Sequence, residues 1–279
     1  MDFFQQLIFA NAFFLPLCLG FVVGFILALT GAGGAILSVP LLVFGMGLTV
    51  LQAGPIGLLA VTLSAGIGSI LGLREKILRY RAASLMALFG LFMSPIGLLT
   101  AHHVPNEPLT LIFSLVLFYV STRSMYQSYK ELRGIVDNRI KSFPCHLNQS
   151  IGRLIWTVPC ARALALAGAT AGFFSGLLGV GGGFIIVPSL NRITDLPPRS
   201  VIATSMGVLT LVSLGGVMNA TLSNGMNWQI AIPFSTGSLL GMLGGRSIVK
   251  KLPGTAIRLV FSTFALVVAI MMGYKAFHP

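Results

Sequence analysis

A stretch of this chain occurs twice at a constant offset. Residues 20–40 read GFVVGFILALTGAGGAILSVP, and residues 168–188 read GATAGFFSGLLGVGGGFIIVP. Adding 148 pairs Gly20 with Gly168, Gly24 with Gly172, Phe25 with Phe173 and Leu29 with Leu177. It also pairs Gly31 with Gly179, Gly33 with Gly181, Gly34 with Gly182, Val39 with Val187 and Pro40 with Pro188. The register persists further on, in Thr62/Thr210, Gly68/Gly216, Gly97/Gly245, Pro105/Pro253, Phe113/Phe261 and Ser114/Ser262. The chain is a duplicated unit, and each copy opens with a glycine-broken apolar segment. In a membrane protein that combination points to a transporter.

The 279 residues are 55% hydrophobic and 9% charged, against about 25% charged in a soluble domain. Six Asp and Glu cannot solvate a globule of this size, so most of the chain must face lipid or other helices. The net charge of +12 would suggest nucleic acid in a soluble protein. Here the bases sit in short loops between apolar runs, which is the positive-inside pattern, and nucleic acid is not expected as a partner. Cys18, Cys145 and Cys160 show no CxxC or zinc-ligand spacing, and Cys145-His146 reads as a loop pair rather than a metal site. The first charge is Asp2 and no basic n-region precedes the apolar run, so no cleavable signal peptide is expected.

Apolar runs at 52–73, 82–101, 109–128, 200–222, 229–247 and 255–277 each approach the roughly 20 residues that cross the hydrocarbon core as a helix. Two further apolar regions, 12–44 and 163–190, contain the glycine breaks. Loop 74–81, REKILRYR, is basic, loop 102–108, HHVPNEP, has no Lys or Arg, and linker 129–162 carries Lys130, Arg133, Arg139, Lys141, Arg153 and Arg162. The second copy reverses the bias. The counterpart of 74–81 is LSNGMNWQ at 222–229, without charge, and the counterpart of 102–108 is KKLPGTA at 250–256, with Arg246 just before it. A sign that flips between equivalent loops marks inverted-topology repeats.

The expectation is an all-α polytopic membrane protein made of two inverted-topology repeats. Repeat one covers 12–128, a cytoplasmic linker covers 129–162, and repeat two covers 163–277. Each repeat is expected to hold one glycine-broken helical hairpin plus three transmembrane helices. The hairpin arms read as two short helices, since about 14 residues reach only about 21 Å. The breaks, Gly31–Gly34 and Gly179–Gly183, are then expected to meet near the midplane. An odd number of spans per copy, with one linker between them, produces the inversion.

Backbone left unpaired in hydrocarbon costs several kcal/mol per group by order of magnitude, so a break at membrane depth must be covered or line a polar cavity. A helix is expected to begin after each break, at about Ala35 and Phe184. Its first N–H groups lack intrahelical partners and its dipole is positive there. Glycines let a ligand approach the backbone and permit left-handed turns that form anion nests. The expected substrate-binding residues are therefore Gly31, Gly33, Gly34, Gly179, Gly181, Gly182 and Gly183. The competing reading, close helix packing, suits Gly20/Gly24, Gly168/Gly172 and Gly172/Gly176, which are spaced as small-xxx-small pairs. A dinucleotide fingerprint fails, because Phe184 stands where the final glycine would be.

Asp2, Glu75, Glu107, Glu131, Asp137 and Asp195 all fall in expected loops or termini. Cation sites and proton relays usually need a carboxylate or His within the membrane, so an anion fits better. Arg123 lies inside a span but five positions from its end, within snorkelling reach. Thr204 and Ser205 open the span after the second break and could donate to an oxyanion. Thr62 and Thr210 match across the repeat, with helix–helix bonding as their alternative.

GAGGAILSVPLL at 31–42, GVGGGFIIVPSL at 179–190 and ATSMGVL at 203–209 resemble the TauE/SafE sulfite exporters, also called toluene sulfonate uptake permeases. The resemblance covers nearly the whole chain except the linker. It implies a multi-pass inner-membrane permease and a small sulfur-containing anion, such as sulfite or an organosulfonate like sulfoacetate or isethionate. The first copy has Ile56-Gly57 where Thr204-Ser205 stand in the second. A channel or carrier for another small inorganic or carboxylate anion is the alternative. An enzyme is disfavoured by the lack of clustered His or paired carboxylates. The expected partners are the anion, the bilayer and, as the oligomer considered, a second copy in a homodimer. No cofactor or metal is expected.

Overall fold

A computed structural model describes residues 2–31, 33–133, 145, 147–148, 153–154, 157–222, 225–249 and 254–277. Arg139, Lys141, His146, Lys250 and Lys251 fall outside them, and Gly33 is described only as a helix start. Among the described residues the elements in the first copy are α1 (Asp2–Thr30), α2 (Gly33–Met46), α3 (Val50–Arg74), α4 (Tyr80–His103) and α5 (Asn106–Leu132). In the second copy they are α6 (Val158–Leu178), α7 (Gly183–Ile193), α8 (Pro198–Leu222), α9 (Trp228–Val249) and α10 (Gly254–Phe277). Adding 148 to the bounds of α3 gives those of α8, and the starts of α4 and α5 likewise give those of α9 and α10. Each copy is thus a broken hairpin followed by three long helices. In the linker, Leu147–Asn148 pairs antiparallel with Arg153–Leu154, a two-residue ladder in an otherwise helical fold.

Seven helical stretches are long and apolar enough to cross a membrane: Phe13–Thr30, α3, α4, α5, α6, α8 and Arg258–Ala276 of α10. The polypeptide is a multi-pass membrane protein. The central pair is α3 and α8, each 61% buried against 28% for the α10 stretch. α9 has 22 residues but is not among the seven. Its Ser235, Thr236, Gly237, Ser238, Gly241 and Gly245 give it a low apolar content, and the contacts below show where that composition goes.

Helix directions follow from contacts along their lengths. On α3 and α8, Gly72 lies on Ala203, Gly68 on Met206, and Gly216 on Leu58, so these equivalent helices run antiparallel. On α5 and α10, Glu131 pairs with Arg258 at 2.8 Å, while Ser114 Oγ donates to Ala269 O at 2.8 Å, so they too are antiparallel. A direct duplication would have set equivalent helices parallel; antiparallel pairs are what inverted copies require.

The copies are interlocked. α1 lies parallel to α9, with Gly20 against Phe234 O, Gly24 against Ser238 O, Gly237 against Leu17 O and Gly241 against Phe21 O. α6 lies parallel to α4, with Gly168 against Met86 O, Gly172 against Gly90 and Gly176 against Ser94 O. A Cβ at Gly24 would sit 1.8 Å from Ser238 O, and one at Gly172 would sit 2.1 Å from Gly90 O. Both contacts are with backbone, so the small-residue spacing seen in the sequence serves close packing, as that reading expected.

The hairpins differ from the expectation of two short arms. The first arms have 29 and 21 residues, the second arms 14 and 11. At 1.5 Å per residue α6 is about 31 Å long, enough to cross the core. The glycine seam explains this, because it holds each first arm against a full-length helix of the other copy. A disulfide joins Cys145 of the linker to Cys160 in the first turn of α6. The Cys145 N–H also donates to Ile193 O at the end of α7, at 3.1 Å. The linker therefore ties together both ends of the second hairpin, a pairing that cysteine spacing did not reveal.

Candidate functional site: two glycine breaks of unequal polarity

α6 begins at Thr157, whose hydroxyl accepts from Cys160 N–H, and it stops at Gly179. Gly179 takes φ +68, a left-handed conformation that other residues rarely adopt, and its N–H donates to Ser175 O. The chain then turns through Gly181 at φ +74 and Gly182 at φ +71 before α7 starts. Residues 179–184 are all buried. The first N–H groups of the new helix that return to the backbone belong to Ile185 and Ile186, both donating to Gly182 O. Among the described backbone bonds none uses the N–H of Gly181, Gly182, Gly183 or Phe184 as donor. That is the donor cluster expected at a helix N-terminus, with the positive end of the dipole behind it. The first break is simpler: Gly31, at φ +77, donates to Leu27 O at 2.8 Å, and α2 follows from Gly33.

The first glycines of the two breaks lie far apart. Gly179 rests on Gly54 near the start of α3, and Gly31 rests on Ile202 near the start of α8. Since α3 and α8 are antiparallel, these are opposite ends of the central pair. Gly54 and Gly72, the neighbour of Ala203, are 18 positions apart on α3, about 27 Å at 1.5 Å per residue. The long first arms carry Gly31 and Gly179 past the centre. Gly181 reaches back toward the middle, where its neighbours are Val61, Leu209 and Ser213.

The proposed glycines divide by what surrounds them. Gly34 abuts Leu27 N and Val23 O, and its equivalent Gly182 abuts Ala171 O, so both bring the two arms of a hairpin together. Gly179 lets the second break lie on α3. Gly181 faces side chains rather than backbone, and Gly183 is the buried first residue of α7.

The hydroxyls expected at the site are engaged elsewhere. Thr204 Oγ1 accepts from Arg79 N–H at 3.1 Å, and Ser205 Oγ donates to Ile202 O at 2.8 Å. They lie at the first break's end of the central pair, not at the second break. Thr62 and Thr210 donate to Leu58 O and Met206 O of their own helices. Two serines that sequence reasoning passed over stand differently. Ser175, one turn before Gly179, and Ser213, beside Gly181, are fully buried, and their Oγ atoms have no hydrogen-bond partner. The readable signal was asymmetry, because their counterparts in the first copy are Leu27 and Ala65.

Charge stays away from the breaks. Glu75 is the C-cap of α3 and pairs with Arg246 at 2.6 Å, and Glu131 lies in the last turn of α5. Arg123 donates to the Tyr119 hydroxyl at 3.3 Å rather than reaching toward the helix end. No group of three or more potential metal ligands occurs among the described residues. A crevice of ≈ 30 Å³ beside Gly179 is lined by Gly54, Leu58, Ser94, Gly176 and Gly216 among others.

A family model described as Sulfite exporter TauE/SafE matches residues 16–272. The chain belongs to the sulfite exporter TauE/SafE family. A probable membrane transporter protein of Xylella fastidiosa (strain Temecula1) is 28% identical over 260 residues, covering 92% of this chain and 93% of the relative. The probable membrane transporter protein YunE of Bacillus subtilis is 24% identical over 280 residues, covering 95% and 98%. The probable membrane transporter protein MJ0441 of Methanocaldococcus jannaschii is 26% identical over 279 residues, covering 92% and 95%. No solved structure matches the chain. The relatives carry the names of probable membrane transporters, in line with a family of transporters rather than enzymes.

Proposed function

We propose that this TauE/SafE member is a secondary carrier that exports a small sulfur-containing oxyanion, sulfite or an organosulfonate, across the inner membrane. The observation that carries the reading is the buried second break, where backbone N–H donors gather at a helix start with no carboxylate near them. Neutral donors of this kind hold an anion without a fixed countercharge, and an anion bound that way can also leave. The family's description supports sulfur chemistry. The test is flux from proteoliposomes of the purified protein against sulfite, thiosulfate, isethionate, sulfoacetate, sulfate and malonate. Movement of sulfite or a sulfonate is expected. Movement of malonate alone would replace the reading with a carboxylate carrier, and chemical alteration of the anion would replace it with an enzyme.

Export also requires an orientation. Among the described residues, every Lys and Arg except Lys275 falls on the side of the central pair that carries the linker. This bias places the linker in the cytoplasm. The Cys145–Cys160 disulfide argues the other way, because cytosolic thiols are mostly kept reduced. We give the charges more weight, since they agree across four loops, whereas one thiol pair can be oxidised on either side. Single cysteines in a cysteine-free background test it. Asn106→Cys should react with an impermeant maleimide in intact cells, and Arg79→Cys only after permeabilisation; the reverse pattern would overturn the orientation.

A further inference from the structure

The two breaks match in sequence but not in what surrounds them. Ser213 is 0% exposed, and its Oγ lacks any partner in the protein. It lies 2.6 Å from the point where a Cβ on Gly181 would stand, so it is aimed into the left-handed turn that opens α7. α7 is 11 residues long, enough for a true N-terminus, and the N–H groups of Gly183 and Phe184 precede its first returning bonds. A buried hydroxyl without a partner is disfavoured unless something else satisfies it. A ligand with oxygen acceptors would satisfy the hydroxyl and the amides together. Ser175, another of the buried hydroxyls without a partner, stands one turn before the same break. At the first break the equivalent positions are Leu27 and Ala65, and the neighbour of Gly31 is the Ile202 side chain. Of the hydroxyls nearest that end, Ser205 donates to Ile202 O and Thr204 accepts from Arg79 N–H.

We infer that the transported oxyanion is bound at the second break alone, by the amides that open α7 and the Ser213 hydroxyl, while the first break is a packing joint. This rests on the carrier reading above but adds a residue and an asymmetry that it does not require. The ligand class is a small anion with several oxygen acceptors. Donors without full charge suit weak binding and ready release, and a hydroxyl beside helix-opening amides suits an oxyanion.

The experiment measures KM for efflux of sulfite and of malonate from proteoliposomes, together with the Tm of each purified variant. Ser213→Ala should raise KM about tenfold, corresponding to one hydrogen bond to a charged group. Its Tm should be unchanged or higher, because no bond within the protein is lost. Ser213→Thr should restore KM to within about twofold to threefold, and Ser205→Ala should stay within that range. A Ser213→Ala KM within twofold of wild type would overturn the inference, as would an equal loss in Ser205→Ala. A lowered Tm with unchanged KM would assign Ser213 to structure and overturn it as well. If the wild type moves malonate and not sulfite, the sulfur reading fails while the site stands or falls on the same KM comparison for malonate.

Discussion

Gly181→Leu should cut substrate flux by at least about fiftyfold, in protein that still inserts and elutes as a single species. Gly181 holds φ +74, a conformation that costs an L-residue roughly 1–2 kcal/mol. A side chain there also displaces Ser213, and a hydrogen bond to a charged group is worth about 1.5–3 kcal/mol. Together that is about 2.5–5 kcal/mol against the occupied site, from roughly sixtyfold to a few thousandfold at 1.4 kcal/mol per decade. The position separates function from folding. The atoms nearest a Cβ at Gly181 are the ends of Ser213 and Leu209, at 2.6 and 3.0 Å, which can rotate. At neighbouring Gly182 the obstacle is the Ala171 carbonyl at 2.3 Å, so a substitution there would separate the hairpin arms. Flux assayed beside quantified membrane insertion checks the expectation, and near-normal flux would remove the second break from the path.

Membrane potential alone should drive export. An anion leaving a negative interior moves with the field, which is worth roughly 2.3 kcal/mol per charge per 100 mV. For a divalent anion that is about 4.6 kcal/mol, on the order of a thousandfold in concentration. The placement of the acids agrees. Glu75 and Glu131 are at helix ends in ion pairs, and Glu107 is in the first turn of α5, so none is set as a proton relay within the bilayer. In potassium-loaded proteoliposomes with valinomycin and no pH gradient, efflux should rise as the interior is made more negative. Flux that ignores the potential and follows an imposed pH gradient would show an electroneutral, proton-linked carrier instead.

Much of the architecture was legible because it rests on periodic features. The offset between GAGGAILSVP and GVGGGFIIVP located both hairpins, and the flipped bias of loops 74–81 and 222–229 agrees with the antiparallel set of α3 against α8 and α5 against α10. The glycines at 31, 179, 181 and 182 adopt the left-handed conformations that such residues make possible. The length of the first arms was not legible, because it was argued from hydrophobic span. The seams of Gly20 and Gly172, which fix how far α1 and α6 run, act through a partner helix over 60 residues away in sequence. Thr204 and Ser205 were chosen for chemistry and chain position; the Ile202 carbonyl takes the Ser205 O–H, while Thr204 only accepts from Arg79 N–H. Ser213 carried a usable sequence cue only through comparison with Ala65. The Cys145–Cys160 pairing spans a polar linker whose course no periodicity describes.

The exchange of first helices between copies bears on how such a chain could arise. α1 closes its backbone seam on α9, and α6 closes its own on α4. One copy alone would leave both seams open, with the carbonyls of residues such as Phe21 and Ser94 bare to lipid on either side. A half-length ancestor would have found its complement only in a second molecule inserted the opposite way up. Such a protein must enter the membrane in both orientations, and so cannot afford strongly biased loops. Fusion removes that constraint. Once the linker fixes which copy stands upright, bases can accumulate at REKILRYR and disappear at LSNGMNWQ. The uneven hydroxyls around the two breaks then fit the same history: after fusion, only one of two once-identical turns needed to keep the ligand.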